Sequence, residues 1–147
     1  DSNALYKKHN LESNHILGDS VEYLKNTDFI PNLVHLDSWN VDLKNPLPSA
    51  LHGWREFTAI ESKMPVGSIL IIDDNWFNGT WVEWWTRNEE NKLQSEIVNI
   101  DYPVLGKGAL VWHHINGEQG NKSNWEIIYP VTSLSGGAKK LILKKIK

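Results

Sequence analysis

The sequence predicts an α/β fold built on an open, doubly wound sheet, and three observations carry that prediction. Two apolar runs, Leu33-Val34-His35-Leu36 and Ser68-Ile69-Leu70-Ile71-Ile72, lack the alternation of a half-buried strand and suit parallel strands covered on both faces. The segment between them has helical spacing of apolar residues, which supplies the crossover that parallel strands need. Each run ends in polar ligand-type residues: Asp37 after the first, Asp73-Asp74-Asn75 after the second. Open α/β sheets bind ligands outside the carboxyl ends of their strands. With 147 residues the chain is long enough for one domain with a real core.

The elements follow in order. Ala4 to Asn10 reads as the end of a helix, and His15-Ile16-Leu17 as a short strand. Asp19 or Ser20 caps a helix running to about Asn26, with Val21 and Leu24 inward. Pro31-Asn32 turns into the strand Leu33 to Asp37. A polar loop, Ser38 to Pro46, leads to a helix with Pro48 in its first turn and Ala50, Trp54, Phe57, Ile60 and Met64 on one face. Pro65-Val66-Gly67 ends that helix and starts the strand Ser68 to Asp73. Thr80 to about Asn88 is expected to be a helix carrying tryptophans. Gly108 to Ile115 and Asn124 to Val131 read as an antiparallel hairpin around the turn formers Asn116 to Asn121. From about 136 the basic tail is expected to be loosely attached, or to add a last strand through Leu141, Ile142, Leu143 and Ile146.

Composition excludes several functions. The net charge of −3 gives no general attraction to nucleic acid or to an anionic membrane surface. The absence of cysteine rules out disulfides and thiolate metal sites. No apolar run approaches the roughly 20 residues of a membrane span, and no signal-peptide core stands at the N-terminus. A cytoplasmic protein is expected, with homo-oligomerisation left open. Eight tryptophans are many for this length, and four of them (Trp76, Trp81, Trp84, Trp85) follow the second acidic strand end. They either fill a core or line a pocket.

Three carboxylates and an amide converging at one sheet edge are a candidate site for a hard cation such as Mg²⁺, with Asp37, Asp74 and Asn75 as ligands and Asp73 as a further or supporting group. The competing reading is that they cap helices and loops. Trp39 and Trp76, which follow the two acidic ends, are candidates to flank a substrate. His35 reads as a structural histidine, His52 as a surface residue, and His113 and His114 as strand residues pointing to opposite faces.

The order of elements resembles the C-terminal two-thirds of a class I S-adenosylmethionine-dependent methyltransferase. The residues that carry it are Gly18-Asp19-Ser20 after a short strand, Leu36-Asp37-Ser38-Trp39, the stretch Pro65 to Asn75, and Gly106-Lys107-Gly108. The resemblance covers roughly residues 4 to 132. Within the class, the Asp37 and Asp73-Asp74-Asn75 pattern is most similar to metal-dependent O-methyltransferases of the catechol or macrocin-type sugar groups. It implies a Rossmann-like sheet ending in an antiparallel hairpin. It also implies S-adenosylmethionine bound near Gly18, Asp19 and Ser20, a divalent cation, and methyl transfer to a hydroxyl on a small acceptor such as a carbohydrate. Neither nucleic acid nor a membrane is implied as partner. The chain departs from the family in lacking a Gly-x-Gly loop after a first strand and an acid ending a second one. It is therefore expected to be a partial domain without the first two strands. The alternative is a methyltransferase-like domain with a non-enzymatic binding or interaction role. A hydrolase has no Gly-x-Ser-x-Gly elbow to support it.

Overall fold

The computed structural model describes residues 16–117, 124–130 and 139–147. The helix expected over Ala4 to Asn10 lies outside them, as does His15; Ile16 and Leu17 are exposed and form no strand. Helix α1 spans Ser20–Asn26. Asp19 is its N-cap, its carboxylate accepting from the amide of Glu22 at 3.0 Å. At the other end Lys63 Nζ donates to the carbonyls of Leu24, Lys25 and Thr27, each at 2.7 Å. A cation on the last carbonyls also complements the helix dipole. So short a helix is marginal alone; Val21 and Leu24 hold it against the core.

Strand β1 (Leu33–Leu36) pairs in parallel with β2 (Ile69–Phe77), with Leu33 opposite Ile69 and Leu36 opposite Ile72. Helix α2 (Leu47–Ile60) makes the crossover and buries Ala50, Phe57 and Ile60. Strand β2 runs four residues beyond the expected end at Asp73. It does so across an irregularity between Ile72 and Asn75, where Asp74 takes a left-handed φ of 53°. Its last residues, Asn75 to Phe77, pair with β5 (Val104–Gly106).

Three expectations are corrected here. The tryptophan segment is strand β3 (Trp81–Arg87), paired over seven positions with β4 (Leu93–Asn99). Aromatic and β-branched residues suit a pleated surface, and Asn88 Oδ1 closes the turn by accepting from the amides of Glu90 and Lys92. Gly108 to Ile115 is not a strand. Ala109–Asn116 forms helix α3, with Val111 and Ile115 one turn apart and buried. The terminal hairpin is instead β6 (Trp125–Pro130) with β7 (Lys139–Lys145). The third correction concerns the loosely attached tail, where the alternative of a last strand holds: β7 lies between β2 and β6, antiparallel to both, and Leu141 and Leu143 are fully buried. Residues 136–138 lie outside the described residues.

The main sheet therefore runs β1-β2-β7-β6, with β5 on the extension of β2, and the molecule is α/β with a mixed sheet. Its principal core joins α2 and α3 to the sheet through Phe57, Ile60, Leu70, Ile72, Val111, Trp125, Leu141 and Leu143. A second cluster seats the β3–β4 hairpin on the loop after β1 through Val41, Leu43, Trp76, Val82, Ile100 and Leu105. No described helix is long and apolar enough to cross a membrane.

Candidate functional site

The parallel β1–β2 pair delivers Asp37 and Asp74 to one edge of the sheet, as their places at the two strand ends predict. What joins them is a lysine. Lys107 Nζ lies 2.9 Å from Asp37 Oδ1 and 2.9 Å from Asp74 Oδ2. Its side chain is 3% exposed, against 57% for Asp37 and 35% for Asp74. Burial alone would lower the Lys107 pKa, but its hydrogen bonds and charge attraction to Asp74 and Asp37 outweigh this and hold it above the ordinary value.

Asp73 points elsewhere. Its Oδ2 accepts from Lys140 Nζ and lies 3.2 Å from His35 Nε2, while Oδ1 accepts from the amide of Asp74. Burial works to raise its pKa, and Lys140, the Asp74 amide and His35 together pull it below the usual carboxylate range. Asn75 is fully buried. Its Nδ2 donates to the carbonyls of Ile72 at 2.8 Å and Asp73 at 3.1 Å, and its Oδ1 accepts from the amide of Gly108 at 2.6 Å. Both ends of that amide are occupied in joining β2 to the start of α3. Of the four residues expected at a cation, the structure brings two together, around an ammonium group. Among the described residues no cluster of three or more His, Asp or Glu has metal-binding geometry.

The shifts set the pH dependence. A depressed carboxyl contributes stability above its unfolded value of about 3.9, lost as pH falls through the folded pKa. A raised lysine contributes stability below about 10.4, lost as pH rises through its folded pKa. Replacing Lys140 by Gln should therefore lower Tm most at pH values above about 4, with the difference closing at lower pH as Asp73 becomes neutral in both proteins. A Tm difference that persists undiminished to the acid limit would contradict this origin for the Asp73 shift.

Next to Asp37, a second group of polar side chains converges where β1 meets α1 and α2. Ser38 Oγ donates to Glu56 Oε1 and lies 3.0 Å from His52 Nε2. Ser20 Oγ lies 3.3 Å from the same nitrogen. Glu56 is 2% exposed, and the Ser38 hydroxyl supplies a hydrogen-bond donor to it beside His52 Nε2. His52, expected at the surface, is instead largely buried, with Trp39 stacked on its ring at 5.0 Å between centroids. Trp39 itself is exposed and holds a φ of 71°, an uncommon conformation for a bulky residue. These residues do not form a Ser-His-acid relay: Glu56 approaches Nε2, at 3.5 Å, the same ring nitrogen that faces Ser38.

A cleft of about 490 Å³ opens beside this group, lined by Asp19, Val21, Trp39, Leu51, His52 and Arg55 among others. Asp19 and Trp39, both singled out from the sequence, meet there; Ser20 sits behind His52. Trp76 does not reach the cleft and is buried in the second core cluster. Gly18 opens a smaller hollow with Asp19, Ser20 and Tyr23. His114 packs its ring on Trp54 at 4.9 Å, a core contact rather than a strand position. Sequence reasoning missed Lys107, His52 and Glu56. The one local signal was a lysine held between two glycines.

Comparison with family models, curated proteins and solved structures finds no match.

Proposed function

We propose that this is a methyltransferase-like domain whose activity is S-adenosylmethionine-dependent methyl transfer to a hydroxyl of a small acceptor, such as a carbohydrate. The observation that carries the reading is the sheet. A parallel β1–β2 pair is continued by the antiparallel hairpin β6–β7, and the chemistry-bearing residues gather at the carboxyl ends of β1 and β2. The resemblance implies a sheet that ends in an antiparallel hairpin, although the hairpin it implied, Gly108 to Ile115 with Asn124 to Val131, is not the one that forms.

The adenine end of the cofactor fits the residues present. Asp19 uses one oxygen to cap α1 and lines a cleft whose volume lies in the ordinary range for a small-molecule site. When bound, S-adenosylmethionine supplies the methyl group that an acceptor oxygen takes in an in-line displacement. Trp39 offers a flat, exposed face against which a sugar or aromatic acceptor can rest. His52, whose Nε2 faces Ser38, Ser20 and Glu56, stacks on Trp39 and holds that ring at the wall of the cleft. The chain's main contribution is alignment of donor and acceptor. The divalent cation fits poorly. Lys107 Nζ already bridges Asp37 and Asp74, and both ends of the Asn75 amide are engaged, so no step is assigned to a metal.

The glycine loop and the ribose-binding acid are missing from the sequence motifs, so binding by these 147 residues is expected to be weak. A millimolar dissociation constant, about −4 kcal/mol, is anticipated. Titration of S-adenosylhomocysteine into the ¹⁵N-labelled protein should shift amide resonances around Asp19, Trp39 and His52, and Asp19→Ala should abolish those shifts. Saturable shifts confined to the other side of the sheet, or none at all, would overturn the reading. The interaction-domain alternative has one observation of its own: Trp81, Trp85, Leu93 and Ile97 lie exposed on the β3–β4 hairpin.

A further inference from the structure

Lys107 is placed by backbone geometry that few other sequences would allow. Gly106 has φ 123°, and a Cβ there would lie 2.1 Å from the carbonyl oxygen of Asp74. A Cβ on Gly53 of α2 would lie 2.3 Å from the carbonyl oxygen of Lys107 itself. Gly108 donates to Asn75 Oδ1 and leaves no room for a side chain on that side. Three glycines thus let the main chain at Lys107 wedge between α2 and β2, and from there the lysine side chain reaches Asp37 and Asp74. On the receiving side, Asp74 and Trp39 both hold left-handed backbone conformations. Such conformations persist only where the surroundings over-determine them, and they concentrate at functional sites.

We propose that Lys107 is the built-in cation of this edge: its ammonium occupies the position and performs the electrostatic duty of the divalent ion expected between Asp37 and Asp74. The ammonium donates to one oxygen of each carboxylate and removes one of their two negative charges. A divalent ion brought to the same carboxylates would meet the fixed positive charge at contact distance and would have to displace a buried side chain. Both aspartate side chains remain partly exposed, and each has a carboxylate oxygen outside its contact with Lys107 that can accept hydrogen bonds from uncharged donors such as the hydroxyls of a polyol. Recognition at this edge is therefore metal-independent. The proposal goes beyond the methyl-transfer reading and stands without it, because its test contains no cofactor.

The test is titration of Mn²⁺, followed by water-proton relaxation, into the wild-type protein and into Lys107→Met, Lys107→Arg and Lys107→Met/Asp37→Asn, each checked for folding by circular dichroism. The wild type and Lys107→Arg should show no saturable Mn²⁺ binding. Lys107→Met keeps the apolar stem and leaves the two carboxylates without a counter-charge. It should gain a saturable site, tighter than any wild-type binding by about tenfold or more, and the double variant should lose it. If Lys107→Met does not fold, saturable binding by the wild type that Asp37→Asn removes decides the matter against the proposal, and its absence supports it. A folded Lys107→Met that gains no Mn²⁺ site would also overturn it.

Discussion

Removing residues 139–147 should abolish cooperative unfolding altogether. These nine residues look from their charge like a solvated tail, yet β7 is an interior strand that pairs with β2 on one side and β6 on the other. Leu141 and Leu143 have no exposed surface, and β6 has no other strand partner among the described residues. Losing a buried leucine costs about 2–5 kcal/mol. Two of them, with two ladders of backbone hydrogen bonds, reach the whole stability of a typical domain, about 5–15 kcal/mol. The truncated chain should show no sigmoidal melt by circular dichroism and should expose apolar surface to a hydrophobic dye. A cooperative transition within a few degrees of the full chain would mean that the interior placement of β7 is wrong.

Asn75→Asp should lower the urea midpoint by the equivalent of about 3 kcal/mol or more. The substitution changes almost nothing in shape. It replaces an amide that donates to the carbonyls of Ile72 and Asp73 with a carboxylate that can only repel them, at a position with no exposed surface. The acceptor for Gly108 survives, so the loss comes from the two broken donations and from an unpaired buried charge. Part of the loss should return in acid, where the protonated side chain regains one donor. A cation ligand would respond in the opposite sense, since an added carboxylate strengthens a hard-cation site. An unchanged midpoint with a new affinity for Mg²⁺ would therefore return Asn75 to the metal.

The two predictions bear on what was readable at the level of local pattern. Helices α1 and α2 and the strands β1 and β2 were legible because each carries its own signal. Asp19 precedes an inward Val21 and Leu24, Pro48 opens a run with Phe57 and Ile60 on one face, and the Ile69 to Ile72 run has no polar interruption. Burial on a repeating face is a property of neighbours in sequence, so periodicity reports it. The parallel pairing of β1 and β2, and hence the approach of Asp37 to Asp74, followed from the helix between them.

Where propensity is ambiguous, tertiary contact decided. Ala109–Asn116 contains Val111, Trp112 and Ile115, all compatible with a strand, yet Val111 and Ile115 bury together only on a helix packed beside α2 and β5. In the tryptophan segment the alternation of a strand turns Trp84 toward the second core and leaves Trp81 and Trp85 exposed. His52 lies one turn before Glu56 on α2, and nothing local indicates that Ser38 and Ser20 will close over its ring.

The sequence by itself therefore determined the α/β class, the crossover, the cap at Asp19 and the acidic ends of two adjacent strands. The tertiary structure alone decided what meets those acids. Lys107 is 70 residues from Asp37 in the chain and reaches it only because β5 pairs with the extension of β2 and three glycines admit its backbone. Charges brought together by such long-range packing leave no periodicity or local spacing to read. The interaction between Lys107, Asp37 and Asp74 exists only once the sheet edge that excludes water from the lysine has formed.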